Sequence, residues 1–290
     1  MNSLAASELI LNNDGSIYHL NLLPENLADT VIVVGDPERV EKVTRYFDKV
    51  EVVVRKREFH TQTGFYKGKR ITVISTGIGT DNIDIVLNEL DALVNIDFEE
   101  RKIKEQHTSL DIVRIGTSGS IQPEIPVDAF LLSELAVGFD SLLHFYKSEE
   151  IQVQDFNRAI KEHLQLSKEK STPYVVACDT DLSKKLFSAN IFKGFTGTNE
   201  GFYGPQGRVL RLALQDENLN EKLASFSFQD KKVTNLEMET SAIYGLSALL
   251  GHRAVSMNAI IANRATGTFS KDAAETIDKL IKYTLDKLAS

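Results

Sequence analysis

The chain has 290 residues, 42% of them hydrophobic and 26% charged, with a formal net charge of −8. That length can bury a large core, and the acidic balance argues against a broad nucleic-acid or anionic-membrane surface while leaving room for a small cationic pocket. Cys178 is the single cysteine, which excludes an intrachain disulfide and a cysteine-based zinc site and leaves Cys178 as a small buried hydrophobe.

The first residues carry no basic region followed by an apolar run and a small-residue cleavage site, so no secretory leader is expected. No apolar run is long enough to span a bilayer, and the expected compartment is the cytoplasm. Residues 1–29 are mixed and read as an arm with short turns. Val31 to Val34 form a continuously apolar run, as a strand covered on both faces would. Gly35, Asp36 and Pro37 break it, and Val40, Val43 and Phe47 then mark a helix that starts near Pro37 or Glu38. A strand is expected at Glu51 to Val54, and a hairpin from Phe59–Tyr66 and Ile71–Ser75 around the KGKR turn. Ile83, Leu87, Leu90 and Val94 line one face of a second helix.

Residues 97–109 are polar and charged and read as a surface excursion, with His107 exposed. DIVRIG is a strand, TSGSIQPEIP a long turn, and Val127 to Leu132 a further strand. Helices are expected at Phe156–Leu166 and Asp181–Asn190, with a short strand at Pro173–Ala177. Gly194 to Gly207 is rich in glycine and aromatics and reads as a loop. A helix from Glu239 to Leu250, a strand from Ala254 to Ile261 and an amphipathic helix through Ile277 and Leu288 complete the chain. Intermixed strands and helices without a repeat argue for one α/β domain over residues 1–290 with a mostly parallel or mixed sheet.

Chemistry gathers at the strand ends. Gly35 lets a ligand approach the backbone, and Arg39 sits in the first helical turn, where a cation is slightly unfavourable unless an anion is bound. Arg114 interrupts an apolar strand and needs a partner, either a structural carboxylate or, together with Arg39 and Thr117, a bound phosphate. Gly77, Gly79 and Gly119 keep nearby loops thin, although neither a P-loop nor a full GxGxxG fingerprint occurs. Arg57 is a third fork-shaped donor, within reach only if the arm or another subunit folds over the site. Glu237 and Glu239 flank Met238 ahead of a helix; they either cap it or accept hydrogen bonds from neighbouring sugar hydroxyls. In GFYGPQGR, Phe202 or Tyr203 can stack on a flat ring, while Gln206 and Arg208 match the donors and acceptors on the edge of uracil. His60 and His144 fit core or surface equally well.

The ordered set YHLNL, GDPERV, REF, STGIG, RIGTSG, FYGPQGR and NLEMET resembles the nucleoside phosphorylase family, and within it the uridine-specific branch, from about Tyr18 to the C-terminus. The resemblance implies a three-layer α/β/α sandwich with a mixed, partly closed central sheet. It implies a phosphate site at Gly35, Arg39, Arg114 and Thr117, with Arg57 donated by a partner subunit. It assigns ribose to Glu237, Met238 and Glu239, with His19 from the partner's arm on the 5′-hydroxyl, and the base to Phe202, Gln206 and Arg208. Glu58 matches a residue that binds potassium between subunits in some members. Inorganic phosphate is then a co-substrate, no cofactor is required, and the minimal unit is a homodimer, with a hexamer of three dimers in bacterial relatives. Purine-specific relatives carry serine and aspartate where Asn263 and Arg264 stand, which favours a pyrimidine here and gives Arg264 the task of ordering the base pocket. The charged segment 97–109 looks inserted relative to the family. The competing activities are phosphorolysis of deoxyuridine, thymidine or a purine nucleoside, hydrolysis by water, and nucleoside binding without turnover.

Overall fold

The computed structural model describes residues 3–290. Its strands and helices follow in chain order. β1 (Thr30–Val34), α1 (Pro37–Thr44), β2 (Lys49–Lys56), β3 (Phe59–Tyr66), β4 (Lys69–Ser75) and α2 (Thr80–Asn95) form the first part. A small hairpin, β5 (Ile96–Asp97) with β6 (Lys102–Ile103), precedes β7 (Asp111–Ser120), β8 (Phe130–Gly138), α3 (Gln154–Leu164), β9 (Tyr174–Ala177) and α4 (Thr180–Leu186). The last part contains β10 (Phe192–Thr198), α5 (Leu219–Ser225), β11 (Ser227–Phe228), β12 (Lys231–Glu237), α6 (Thr240–Leu249), β13 (Arg253–Asn263), β14 (Thr268–Phe269) and α7 (Ala273–Ala289).

One mixed sheet runs β11-β12-β10-β8-β13-β7-β1-β4-β3-β2, and β12 also pairs antiparallel with β7. That extra pairing closes β7, β13, β8, β10 and β12 into a five-stranded ring, from which β1, β4, β3 and β2 extend as an open sheet. The apolar run at β1 is covered on both sides, as alternation requires. Val31 and Val33 face α2 and α6, while Ile32 and Val34 face α1, α4 and α7. A third cluster packs α3 and α5 against the outside of the ring through Phe156, Phe195, Leu223 and Val233. These are the expected layers and the expected partly closed sheet. Cys178 is half-buried rather than fully buried, and packs at the margin of two core clusters.

Three expectations need correction. TSGS does not turn: β7 continues to Ser120, so Thr117 lies inside the strand rather than just past it. β8 starts at Phe130 and runs to Gly138, later and longer than its apolar signal. The segment read as a loop from Gly194 begins as β10, a ring strand. Its glycines serve close packing, since a Cβ at Gly194 would lie 2.5 Å from Leu131 Cδ2 and one at Gly197 would lie 2.7 Å from Leu236 Cδ2.

The charged excursion has a structural task. Arg101 donates to the Leu4, Ala5 and Leu9 carbonyls, and its own carbonyl accepts from Leu4 N–H at 2.8 Å. The arm is therefore fastened by a residue 92 to 97 positions downstream. Arg101→Ala removes the side-chain half of this clasp. Each charge-assisted bond is worth about 1.5 kcal/mol or more, so amide exchange at residues 4–9 should accelerate at least about tenfold while β7 stays protected; unchanged exchange in the arm would refute the clasp.

Candidate active site

A cavity of about 660 Å³ opens at the mouth of the ring, where β1, β7, β12 and β13 end. Arg39 and Arg114 both line it, together with Gly35, Thr117, Met238 and Glu239. The two arginines thus share one cavity.

Arg114 is only 6% exposed. Its Nη2 donates to Glu239 Oε2 at 2.6 Å and lies 3.1 Å from Glu237 Oε2, and its Nη1 donates to Asn258 Oδ1 at 3.0 Å. Burial pulls the guanidinium pKa down, but the two carboxylates outweigh that and hold it above its ordinary value. Arg114 is thus paired with structural carboxylates while it also lines the cavity. Gly116 makes it possible. The arginine side chain folds back over this position, and a Cβ there would collide with the guanidinium. Sequence reasoning missed Gly116; the signal was the two-residue spacing RIG, which puts both residues on one face of a strand.

Arg39 projects from the first turn of α1 after Asp36 caps that helix on Glu38 N–H. Burial and the nearby charge of Arg114 lower its pKa, although arginine stays protonated. Its Nη1 donates to Ile115 O at 3.3 Å, which turns the guanidinium toward β7. Two neighbouring cations in a buried cup favour an anion there.

Glu237 ends β12 and caps α6. It accepts from Glu239 N–H, Thr240 N–H, the Thr240 hydroxyl and the Thr198 hydroxyl. Its carboxyl is pushed above the ordinary value chiefly by burial, with Arg114 opposing and Glu239 adding. Glu239 accepts from Gly79 N–H at 3.0 Å as well as from Arg114. Gly79 has φ of 100°, a region that favours glycine, so the thin loop expected after β4 is what brings this N–H to the carboxylate. The capping role and the cavity role again fall on the same residues, with capping dominant at Glu237.

Gln206 and Phe202 also line the cavity, the first 2% and the second 51% exposed. Arg208 Nη1 donates to Gln206 Oε1 and to Phe202 O, both at 2.6 Å, and its guanidinium lies 3.8 Å from the Phe202 ring centroid. Burial lowers the Arg208 pKa. Arg264 donates to the Gln206 and Gly207 carbonyls and Asn220 Nδ2 also reaches Gln206 O at 3.1 Å, so this loop is held from below. Arg264 therefore braces the loop that carries Gln206.

His19 and Arg57 are not among the residues lining this cavity. They lie together elsewhere: the Tyr18 ring is 4.7 Å from the His19 ring and 5.8 Å from the Arg57 guanidinium. His19 Nδ1 is 2.6 Å from Glu89 Oε1. Glu58 is exposed and lines the cavity rim. His60 is buried in β3, whereas His144 and His107 are exposed. Asp91, His107 and His252 approach one another closely enough to suggest a metal site. The Leu110 N–H donates to His252 Nδ1 at 3.2 Å, however, so the ring proton sits on Nε2, which faces Asp91 Oδ1 at 3.3 Å. That leaves His252 no lone pair for a metal.

The family model described as "Phosphorylase superfamily" matches residues 29–288. The chain belongs to this superfamily. This phosphorylase-superfamily chain is 30% identical to uridine phosphorylase of Haemophilus influenzae over 277 residues, covering 94% of each. It is 29% identical over 270 residues to uridine phosphorylase of Thermococcus kodakarensis, covering 89% of this chain and 81% of that one. A DeoD-type purine nucleoside phosphorylase of Bacillus subtilis is 26% identical over 277 residues, covering 93% and 98%. Among solved structures, Trypanosoma brucei nucleoside phosphorylase, described as showing uridine phosphorylase activity, superimposes with a TM-score of 0.87 at 31% identity over 97% of this chain and 99% of that one. The protein is an enzyme of the nucleoside phosphorylase kind.

The buried charge cluster makes a prediction about stability. Folded Glu237 holds its proton more tightly than the unfolded chain does, so this carboxylate costs stability as pH rises through and above 4.5. Arg114→Met strands both carboxylates and should destabilise by about 3–5 kcal/mol at neutral pH. The deficit should shrink as pH falls toward 4.5, because the buried Glu237 carboxyl, already pushed up by burial, takes up its proton. Urea denaturation across that range tests this; a deficit independent of pH contradicts it.

Proposed function

We propose that the protein catalyses reversible phosphorolysis of uridine, forming uracil and ribose 1-phosphate. The observation that carries this reading is the single cavity lined by Arg39, Arg114 and Glu239 together with the Gln206–Arg208 pair.

A phosphate dianion between Arg39 and Arg114 attacks C1′ as the bond to uracil N1 breaks, with inversion at C1′. The sugar passes through an oxocarbenium-like state, and the anion beside it stabilises the growing positive charge. Glu239, paired with Arg114 through Oε2, accepts from the ribose hydroxyls, and Met238 packs against the sugar. Negative charge that grows on the uracil carbonyls is met by the Arg208 guanidinium and by the Gln206 amide N–H groups. Gln206 Oε1 has a second lone pair for uracil N3–H while it accepts from Arg208. Phe202 covers the base. This is electrostatic preorganisation, and no covalent nucleophile is needed.

Two residues favour a pyrimidine over a purine. Asn263 Nδ2 is committed to the Gln122 and Ile125 carbonyls, and Arg264 to the loop carbonyls beneath Gln206. Neither is an acid that can protonate a purine leaving group.

His19 and Arg57 complete a neighbouring copy's site in a homodimer, reaching the 5′-hydroxyl and the phosphate; their shared patch around Tyr18 supports delivery as a unit. Three such dimers can close into a hexamer. Glu58 supplies one hard carboxylate oxygen at the rim, suited to a potassium ion shared between copies. No other cofactor is needed, and phosphate is the co-substrate. Among the described residues no helix is long and apolar enough to cross a membrane; we place the reaction in the cytoplasm.

Uridine cleavage should require inorganic phosphate and exceed cleavage of thymidine and adenosine; equal turnover in phosphate-free buffer would sink the proposal in favour of hydrolysis. Arg208→Ala should lower kcat by about 10²–10³-fold, or roughly 3–4 kcal/mol. Arg39→Ala should raise the phosphate KM most, and phosphate saturation left unchanged in that variant would remove Arg39 from its role.

A further inference from the structure

The five-stranded ring is lined by polar side chains where a small barrel is ordinarily filled with apolar ones. Val255 and Met257 of β13 and Leu132 of β8 pack outward under α7 and α4, and Phe195 and Val233 pack outward under α3 and α5. Alternation therefore turns Asn258, Ser133, Thr196 and other polar residues inward. Every ring strand contributes to a continuous hydrogen-bonded chain, β7 with two members and the others with one each. It runs Arg114 (β7), Asn258 (β13), Ser133 (β8), Thr196 (β10), Asn235 (β12) and back to Ser118 (β7), at 3.0, 3.2, 2.5, 3.0 and 2.9 Å in turn. Asn258, Ser133, Thr196 and Asn235 have no exposed surface.

The direction of this chain is fixed. Arg114 has only donors, so it must meet the oxygen of the Asn258 amide. Asn258 Nδ2 then donates to Ser133, whose single hydroxyl proton goes to Thr196, whose proton goes to Asn235 Oδ1. An Asn258 amide turned the other way would set its N–H groups against a guanidinium and leave Ser133 without a donor. A buried network of this kind is stable only when every member is satisfied, and it then holds one geometry.

We propose that Asn258 is a positioning residue for Arg114, and that the hydroxyl and amide groups behind it lock Asn258 in the orientation that accepts from the guanidinium. The inference rests on the phosphate-site reading given above. With the Asn258 oxygen present, Arg114 is held between two sets of acceptors: carboxylates on Nη2 and a neutral amide on Nη1. Without it, Nη1 keeps only a 3.4 Å contact to Ser256 Oγ, and the guanidinium swings toward Glu237 and Glu239. Its charge is then spent on the carboxylates rather than on the anion.

The test compares wild type with Asn258→Ala and with Thr196→Val, a near-isosteric change three links from Arg114. Phosphate and uridine saturation kinetics are measured, together with the rise in Tm that inorganic phosphate produces. Asn258→Ala should raise the phosphate KM about tenfold or more and suppress the phosphate-induced Tm rise, with the uridine KM changed less than about threefold. Thr196→Val should show the same pattern at about threefold in phosphate KM. If Asn258→Ala does not fold, Thr196→Val decides. A lower Tm with wild-type phosphate KM and wild-type phosphate response marks a merely structural network and overturns the inference while leaving the site reading intact. A wild-type enzyme that cleaves uridine without phosphate overturns both.

Discussion

The structure depends on keeping one buried cation satisfied. Arg114 lies inside the ring, and transfer of an isolated guanidinium to such a place would be prohibitive. Two carboxylates and an amide oxygen meet it. Those carboxylates need their own support, and they obtain it from the start of α6, the Gly79 N–H and the Thr198 hydroxyl. The constraint thus spreads from one side chain to β12, α6 and the loop after β4, which is why those segments converge on the cavity.

The same cluster explains the division of labour among the site's charges. Arg114 is already paired, so much of its field is spent within the protein. Arg39 has one weak backbone contact and a second cation nearby, so it is the group with most to gain from an incoming anion. At the base end the logic is different. Arg208 rests on the Phe202 ring and on Gln206, and the loop that holds them is pinned by Arg264 and Asn220. A donor held by neutral partners keeps its charge available for whatever arrives.

Much of this was legible in the residues. The β1–α1 junction, the hairpin at Lys67–Gly68 and the final helix followed from apolar periodicity and turn chemistry, because those elements are governed by local rules. Gly35, Arg39, Arg114, Thr117, Gln206 and Arg208 were singled out by residue type and by the family resemblance, each with a structural reading open beside it, and they line one cavity. The ring was not legible. β10 and β12 are short, rich in glycine, threonine, asparagine and lysine, and their inward faces carry the polar network instead of alternating apolar residues. Strand signals read from hydrophobicity fail where a barrel's interior is hydrogen-bonded. Gly116 was missed for a related reason: its role is to leave space for Arg114, and the only sign of that is the two-residue spacing that sets both on one face of β7.

Ring closure also sets when the cavity can come into being. β13 pairs with both β7 and β8 and begins at Arg253, so it joins segments that were synthesised more than a hundred positions earlier. Until it slots between them, Arg114 lacks Asn258 and β7 has an open flank. A growing polypeptide on the ribosome can therefore build the β1–β4 sheet and α2 from local contacts, but it has no ligand site to offer before nearly the whole chain has emerged. Nucleoside and phosphate cannot act as early folding templates; they meet only a molecule whose penultimate long element is already in place.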